Sequence, residues 1–192
     1  KPDHAKTWFR LGSVHESDGN TELAIEHYSK AIEINPGYAK AYGNLGKLYT
    51  ENQLYKEAED VLKTVTQIDP NYADGFMRLG LLYIEQEIWE SAVENLIVAT
   101  RLDEKDYNKF VNLAAALNHI QKWDEAASAA RTCTDLKRKF GGGWYELGVA
   151  EMGRGNRTRA KKHFQVAHND RDWREMAARK IDEINNPGRY EK

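Results

Sequence analysis

The sequence predicts an all-α solenoid of stacked helical hairpins, and three observations predict it. The first is a period of 34 residues. An aromatic recurs as Trp8, Tyr42, Phe76, Phe110 and Trp144, with a Leu three residues later at 11, 45, 79, 113 and 147. A small residue follows each Leu: Gly12, Gly46, Gly80, Ala114 and Gly148. The second observation is an unbroken alanine column twelve residues on, at Ala24, Ala58, Ala92, Ala126 and Ala160. The third is the spacing inside each period. Apolar residues recur at three and four, as in Ala24, Tyr28 and Ala31, which is the signature of a helix face.

Taken in order, a lead-in at 1–4 precedes repeats at 5–38, 39–72, 73–106, 107–140 and 141–172, with no insertion or deletion. Each repeat reads as two helices. The glycines remove a side chain where the second helix approaches the first, and the alanines do the same from the other side. Asn35-Pro36 and Asp69-Pro70 stop the second helix, because proline disfavours helical backbone in the residue before it. Ile34, Ile68, Leu102 and Leu136 close the second helices of repeats one to four and are expected to pack on the next repeat. Repeat five has Asp170 there, so the array is expected to end. A capping helix at 173–185 follows, with Met176, Ala177, Ile181 and Ile184 on its apolar stripe, and then a tail at 186–192. One hairpin cannot bury its own faces, so stability must come from stacking neighbours.

Composition narrows the class. The 192 residues are 41% hydrophobic and 30% charged, which fits a folded soluble chain rather than a disordered one. No apolar run is long enough to span a bilayer, so membrane insertion is not expected, and the compartment is left open. The chain begins with Lys1 and carries no leader, from which the natural protein is expected to extend further towards its N-terminus. One Cys allows no internal disulfide.

The pattern of aromatic, Leu-Gly, Tyr, Ala, aromatic, Ala and Pro resembles the tetratricopeptide repeat (TPR) family. Repeats one and two carry it most fully: Trp8-Leu11-Gly12, Ala24, Tyr28, Ala31 and Pro36, then Tyr42-Leu45-Gly46-Tyr49, Ala58 and Pro70. Repeat three has Glu104 where the proline would be, and repeat four has Ala114 for Gly and Leu117 for Tyr. The resemblance implies a right-handed superhelix whose first helices line a concave groove, and a non-enzymatic module that binds a protein partner there.

No catalytic or metal-binding pattern competes with that reading. The six histidines form no HExxH, and Cys133 has no partner at ligand spacing. Cys133 stands in a compact core column and His15 in a tyrosine column, so both read as packed residues. Gly153-Arg154-Gly155 is a turn between helices, and Gly141-Gly142-Gly143 opens a repeat. Neither follows a strand, as a dinucleotide site would require. The chain is therefore expected to be no enzyme and to need no cofactor.

The register also picks out the groove. The position before each recurrent Leu reads Arg10, Asn44, Arg78, Asn112 and Glu146, mostly long or amide side chains able to donate to a peptide carbonyl or carboxylate. Neighbouring columns are mostly polar in repeats one and two, with Phe9, Ser13, Glu16, Gly43, Lys47 and Thr50. In repeats three to five they are apolar, with Met77, Leu81, Val111, Ala115, Tyr145, Val149 and Met152. The candidate ligand-binding residues are thus Arg10, Asn44, Lys47, Arg78, Asn112, Met77, Leu81, Val111 and Tyr145. The partner class is a peptide or an amphipathic helix of another protein. A chaperone-tail clamp of the kind found in one TPR subgroup is disfavoured, because its set falls on Phe9, Ser13, Asn44, Asp74 and Arg78 and only Asn44 and Arg78 agree.

Charge is uneven. Residues 1–130 hold 13 basic and 21 acidic side chains, and residues 131–180 hold 13 basic and 6 acidic. Head-to-tail self-association of acidic on basic ends is a second expectation, and a regulatory arm of a larger enzyme is a third. Nucleic acid is disfavoured, because no aromatics interleave with the basic cluster.

Overall fold

The computed structural model describes residues 2–190. Among them lie eleven α-helices and one short 3-10 turn, and no strand. The chain forms two compact units, Lys1–Leu102 and Asp103–Lys192.

The first unit holds α1 (Pro2–Ser17), α2 (Thr21–Ile34), α3 (Ala39–Glu51), α4 (Tyr55–Ile68), α5 (Ala73–Glu85) and α6 (Trp89–Leu102). The second holds α7 (Tyr107–His119), α8 (Trp123–Leu136), α9 (Gly141–Gly153), α10 (Arg157–Ala167) and α11 (Arg174–Asn185), then the 3-10 turn Pro187–Arg189. Helix α1 already runs from Pro2, so the stretch expected as a lead-in is helical apart from Lys1, which lies outside the described residues.

Steric fit between two columns builds each hairpin. A methyl group added to Gly12 would stand 2.7 Å from the Tyr28 ring, and one on Gly46 would stand 2.5 Å from Leu62. The same test gives 2.7 Å to Leu96 at Gly80 and 2.6 Å to Phe164 at Gly148. Those four bulky partners are fully buried, as is every member of the alanine column. In the fourth hairpin the pair is Ala114 with Ala130, both buried. The missing bulk at position 130 is what admits a Cβ at position 114, so the departure from glycine is compensated within the hairpin.

The turn inside each hairpin recurs as faithfully. Gly19, Gln53, Glu87, Gln121 and Gly155 all have positive φ, between 58° and 79°. The next amide reaches back five residues each time, as in Leu54 N–H to Tyr49 O at 2.9 Å and Asn156 N–H to Glu151 O at 2.8 Å. This closes the orphan carbonyls of the first helix. Between hairpins, Asn35, Asp69 and Asp103 turn the chain by accepting backbone N–H two residues on, at 3.1, 3.1 and 3.3 Å. Asp103 does this without the proline that follows Asn35 and Asp69.

Some expected core positions are open to solvent. Leu11 is 40% exposed, whereas Leu45 is 4% exposed against Ala24 and Tyr28 of the hairpin before it. Among the described residues Leu11 has no such neighbour. Ile68, Leu102 and Leu136 stay about two-fifths exposed, so the second-helix ends seal less than expected. On α11, Met176 faces water at 48% exposure, while Ala177 is fully buried and Ile181 and Ile184 pack beside it.

Candidate functional site

Within the first unit, the inward columns of α1, α3 and α5 converge on one polar chain. Tyr28 is held in the core by Ala24, Leu45 and Leu48, with its hydroxyl at the edge of that core. The hydroxyl donates to Glu16 Oε2 and accepts from Asn44 Nδ2 at 3.0 Å. Asn44 Oδ1 in turn accepts from Arg78 Nη2 at 3.2 Å, and Lys47 Nζ donates to the other Glu16 oxygen at 2.8 Å. Five residues from three successive hairpins are thereby ordered in one line, Lys47–Glu16–Tyr28–Asn44–Arg78. Each link fixes a side chain that would otherwise cost rotamer entropy to present to a ligand.

The electrostatics follow from that line. Burial works against ionisation of Glu16, but hydrogen bonds from Lys47 and Tyr28 and the Lys47 and Arg78 charges hold its carboxyl below the usual range. Burial, then the Glu16 carboxylate, pushes the Tyr28 phenol up to about 12. The Glu16 hydrogen bond raises the Lys47 ammonium. At neutral pH the line therefore reads cation, anion, neutral hydroxyl, amide, cation.

Beside it a cleft of about 400 Å³ opens, lined by Lys47, Thr50, Glu51, Gln53, Tyr55, Arg78, Leu81 and Glu85. Its polar wall mixes signs, with Lys47 and Arg78 against Glu51 and Glu85, and Leu81 and Tyr55 supply apolar surface. Arg78 Nε is buried and meets no acceptor. It is turned towards Gly43, where an added methyl would stand 3.4 Å away. The terminal nitrogens of Arg78 carry the charge that it contributes to the cleft wall, the kind of group a ligand carbonyl or carboxylate accepts from.

Of the nine residues singled out from sequence, Lys47, Arg78 and Leu81 line this cleft, and Asn44 braces Arg78 from behind. Both ends of the Asn44 amide already have protein partners, so its first role is positional. Arg10 is exposed and Met77 half-buried, and neither lines the cleft. Val111 and Asn112 belong to the second unit and are half-buried there. Tyr145 is not an open groove residue. Its ring packs 5.1 Å from Trp173 and 5.5 Å from Phe164, and α11 brings Ile181 and Ile184 onto the same cluster, with Val149 and Met152. The apolar stripe of the fifth hairpin thus packs into the core that includes the capping helix. Sequence reasoning placed Glu16 and Thr50 on the groove columns but missed Tyr55, which lies on the second helix of its hairpin. Glu16 and Thr50 share one column of the repeat, which is why register alone picks them out.

The second unit places its polar inner residues differently. Glu146 is 8% exposed, and Asn118 Nδ2 donates both to its Oε2 at 2.8 Å and to its backbone oxygen at 3.0 Å. Burial raises its carboxyl to about 7. Cys133, fully buried beside it, has its thiol pushed up to about 12, mainly by burial, so it is no nucleophile. Glu151 is 1% exposed, yet the Asn156 amide and Arg154, Arg159 and Arg131 together outweigh burial and keep it ionised. His15 and His27 stack at 5.0 Å in the first unit, a packed pair. Among the described residues no group of three or more His, Cys, Asp or Glu could hold a metal ion, and no helix is long and apolar enough to cross a membrane.

Comparison with known proteins agrees with the repeat. The sequence profile described as tetratricopeptide repeat matches residues 16–78. No curated protein sequence matches the chain. Among solved structures, that of MamA protein superposes with a TM-score of 0.75 at 22% identity, over 88% of this chain and 92% of the other. YrrB, described as a TPR protein with an unusual peptide-binding site, gives 0.74 at 24% identity, over 90% and 89%. MamA (41-end) from Desulfovibrio magneticus RS-1 gives 0.75 at 17%, over 87% and 94%. The profile lies on the first hairpins, the alanine column runs through all five, and the chain has the fold of these tetratricopeptide repeat structures.

Proposed function

We propose that this protein is a non-enzymatic interaction module and that the cleft of the first unit holds an extended segment of a protein partner. The observation that carries the reading is the prepared pair of cations. Lys47 and Arg78 are locked by Glu16 and Asn44, and both side chains line the cleft. A peptide carbonyl or side-chain carboxylate would accept from the Arg78 guanidinium and the Lys47 ammonium, Glu51 and Glu85 would receive backbone or lysine donors, and an apolar side chain would lie on Leu81 and Tyr55. Preorganisation lowers the entropy cost of binding, which is where most interface affinity is lost. YrrB, of similar fold, is described as having a peptide-binding site, which supports the same class of ligand here.

The test is selection of dodecapeptides from a random phage library on the whole chain, followed by fluorescence anisotropy with the purified winners. Arg78→Ala and Leu81→Glu are expected to weaken them at least tenfold, while Arg157→Glu, on the other unit, leaves them unchanged. Peptides that bind all three variants alike would show that the cleft is not the ligand site.

A further inference from the structure

A second cleft lies in the second unit, on the side formed by the loop before α9 and the end of α10. It measures about 750 Å³ and is lined by Arg138, Lys139, Trp144, Val166, Asn169, Asp170 and Arg171. That volume lies within the range of ligand-binding clefts, and the feature is separate from the cleft assigned above.

Its chemistry is one-sided. Arg138, Lys139 and Arg171 are exposed, and among the described residues none of the three side chains forms an ion pair. Asp170 is the one acid of the lining, and it is occupied. Its Oδ2 accepts from Gly141 N–H at 2.7 Å and its Oδ1 from Asp172 N–H at 3.1 Å. The carboxylate therefore ties the fifth hairpin to the turn after α10, and its single negative charge stands against three cations in the lining. Residues 103–192 carry 18 basic and 14 acidic side chains, against 10 and 16 in residues 1–102. The local field is positive on the positive half of the chain.

The surface between those cations is apolar. Val166 is 40% exposed on the last turn of α10. Trp144 is held rigidly by its Nε1–H, which donates to Arg138 O at 2.8 Å, and by stacking on His163 at 5.6 Å. That hydrogen bond fixes the indole against the loop that carries Arg138 and Lys139. Rigid aromatic surface within a ring of arginines and lysines is the composition of an interface centre.

We infer that this cleft docks an acidic segment of a partner protein that carries an apolar side chain, with carboxylates on Arg138, Lys139 and Arg171 and the apolar group on Val166 and Trp144. A nucleic acid fits less well. Sequence-tolerant binding of single strands needs successive aromatic faces, and here there is one indole with a face already stacked on His163. An exposed valine also has its complement in an aliphatic side chain rather than in a phosphate.

The experiment uses the whole chain and a fluorescein-labelled dodecapeptide of alternating Asp and Glu with a central Leu, read by anisotropy at 150 mM salt. Parallel arms carry the same peptide with Ser for Leu, and a twelve-nucleotide oligouridylate. The Leu peptide is expected to bind, the Ser peptide several-fold more weakly, and the oligouridylate more weakly still. Arg138→Glu with Lys139→Glu, and separately Arg171→Glu, should each cost at least tenfold. Lys161→Glu with Lys162→Glu changes the net charge equally outside the lining and should cost no more than twofold. Lys47→Ala with Arg78→Ala, in the first cleft, should change nothing, so this inference and the proposed function fail separately. Equal losses in the lining and control variants would overturn the proposal, as would tighter binding of the oligouridylate. Self-association in sedimentation that the lining variants abolish would also overturn it, by assigning the cleft to a second copy.

Discussion

The two units solve the same inward column in opposite ways. In the first, the position before the recurrent Leu carries Asn44 and Arg78, which join an ionised line ending at an open cleft. In the second, the same position in the fifth hairpin carries Glu146, which is buried against Asn118 and has its carboxyl raised to about 7. Glu16 and Glu146 are thus two glutamates on inner faces with opposite shifts. Glu16 meets Lys47, Tyr28 and the field of Arg78, while Glu146 meets one amide and hydrocarbon. Partners, rather than residue type or repeat position, decide whether an inner-face acid serves as a charge or as a neutral hydrogen-bonding group. An array can therefore keep one stretch of its inner wall wet and available while another becomes core.

The sharpest way to break this contrast is Glu146→Gln. A carboxyl whose folded pKa lies near 7 against an unfolded value near 4.5 binds more protons when folded, so its contribution to stability falls as pH rises from about 4.5 to 7. The full penalty above that window is about 3 kcal/mol, at about 1.4 kcal/mol per pH unit of separation. Glutamine removes it, and its amide offers a donor to Asn118 Oδ1, which is buried without a partner. Urea denaturation should show Glu146→Gln more stable than the parent by about 3 kcal/mol at pH 8 and equal to it at pH 4. A variant no more stable at pH 8 would mean that burial does not raise the Glu146 carboxyl above its unfolded value.

Tyr28→Phe probes the other side. It removes the hydroxyl that donates to Glu16 and accepts from Asn44, leaving both partly buried groups short of a bond. The expected loss is about 1–2 kcal/mol at neutral pH. The sign of its pH dependence is the reverse of the first case. Glu16 is depressed, so its stabilisation is present above the unfolded carboxylate pKa and disappears as pH falls through the lower folded value. The cost of Tyr28→Phe should therefore shrink in acid, where that of the native Glu146 also vanishes. Stability curves from pH 3 to 8 would show the two variants converging on the parent at the acid end and departing in opposite directions above it.

What could be read from sequence divides along the same physical line. The glycine, alanine and bulky columns were legible because packing of one hairpin repeats every 34 residues, and the clash distances at Gly46 and Gly148 are the reason. The Ala114–Ala130 exchange was visible as two departures, yet only the burial of both within one hairpin makes them one compensated change. Glu146, Lys109 and Glu151 were not legible as buried residues. Their types predict surface, and their burial depends on partners up to 28 residues distant in the chain, such as Asn118 for Glu146. Of the candidate site, the Lys47, Arg78 and Leu81 columns were legible because register places them on one wall. Tyr145 was misplaced because the register of a repeat says nothing about a helix outside it, and α11 is that helix.

The smallest effect separates shape from ligand capture. Gln53 and Gln121 occupy the same turn position in the first and second units, with φ of 59° and 61°. A side chain in the left-handed region costs about 1 kcal/mol or more, of which glycine returns part through the entropy of the unfolded chain. Gln53→Gly and Gln121→Gly should each stabilise the protein by about 0.5 kcal/mol, a matched pair because the turn is the same turn. Their side chains differ in one respect, since Gln53 lines the first cleft and Gln121 lines neither cleft described above. Peptides selected on the first cleft should therefore bind Gln53→Gly a few-fold more weakly and Gln121→Gly as tightly as the parent. Equal affinities with equal gains in melting temperature would shrink the working cleft to Lys47, Arg78 and Leu81. A stability gain in one unit alone would show that the five turns, alike in φ, are held by different forces.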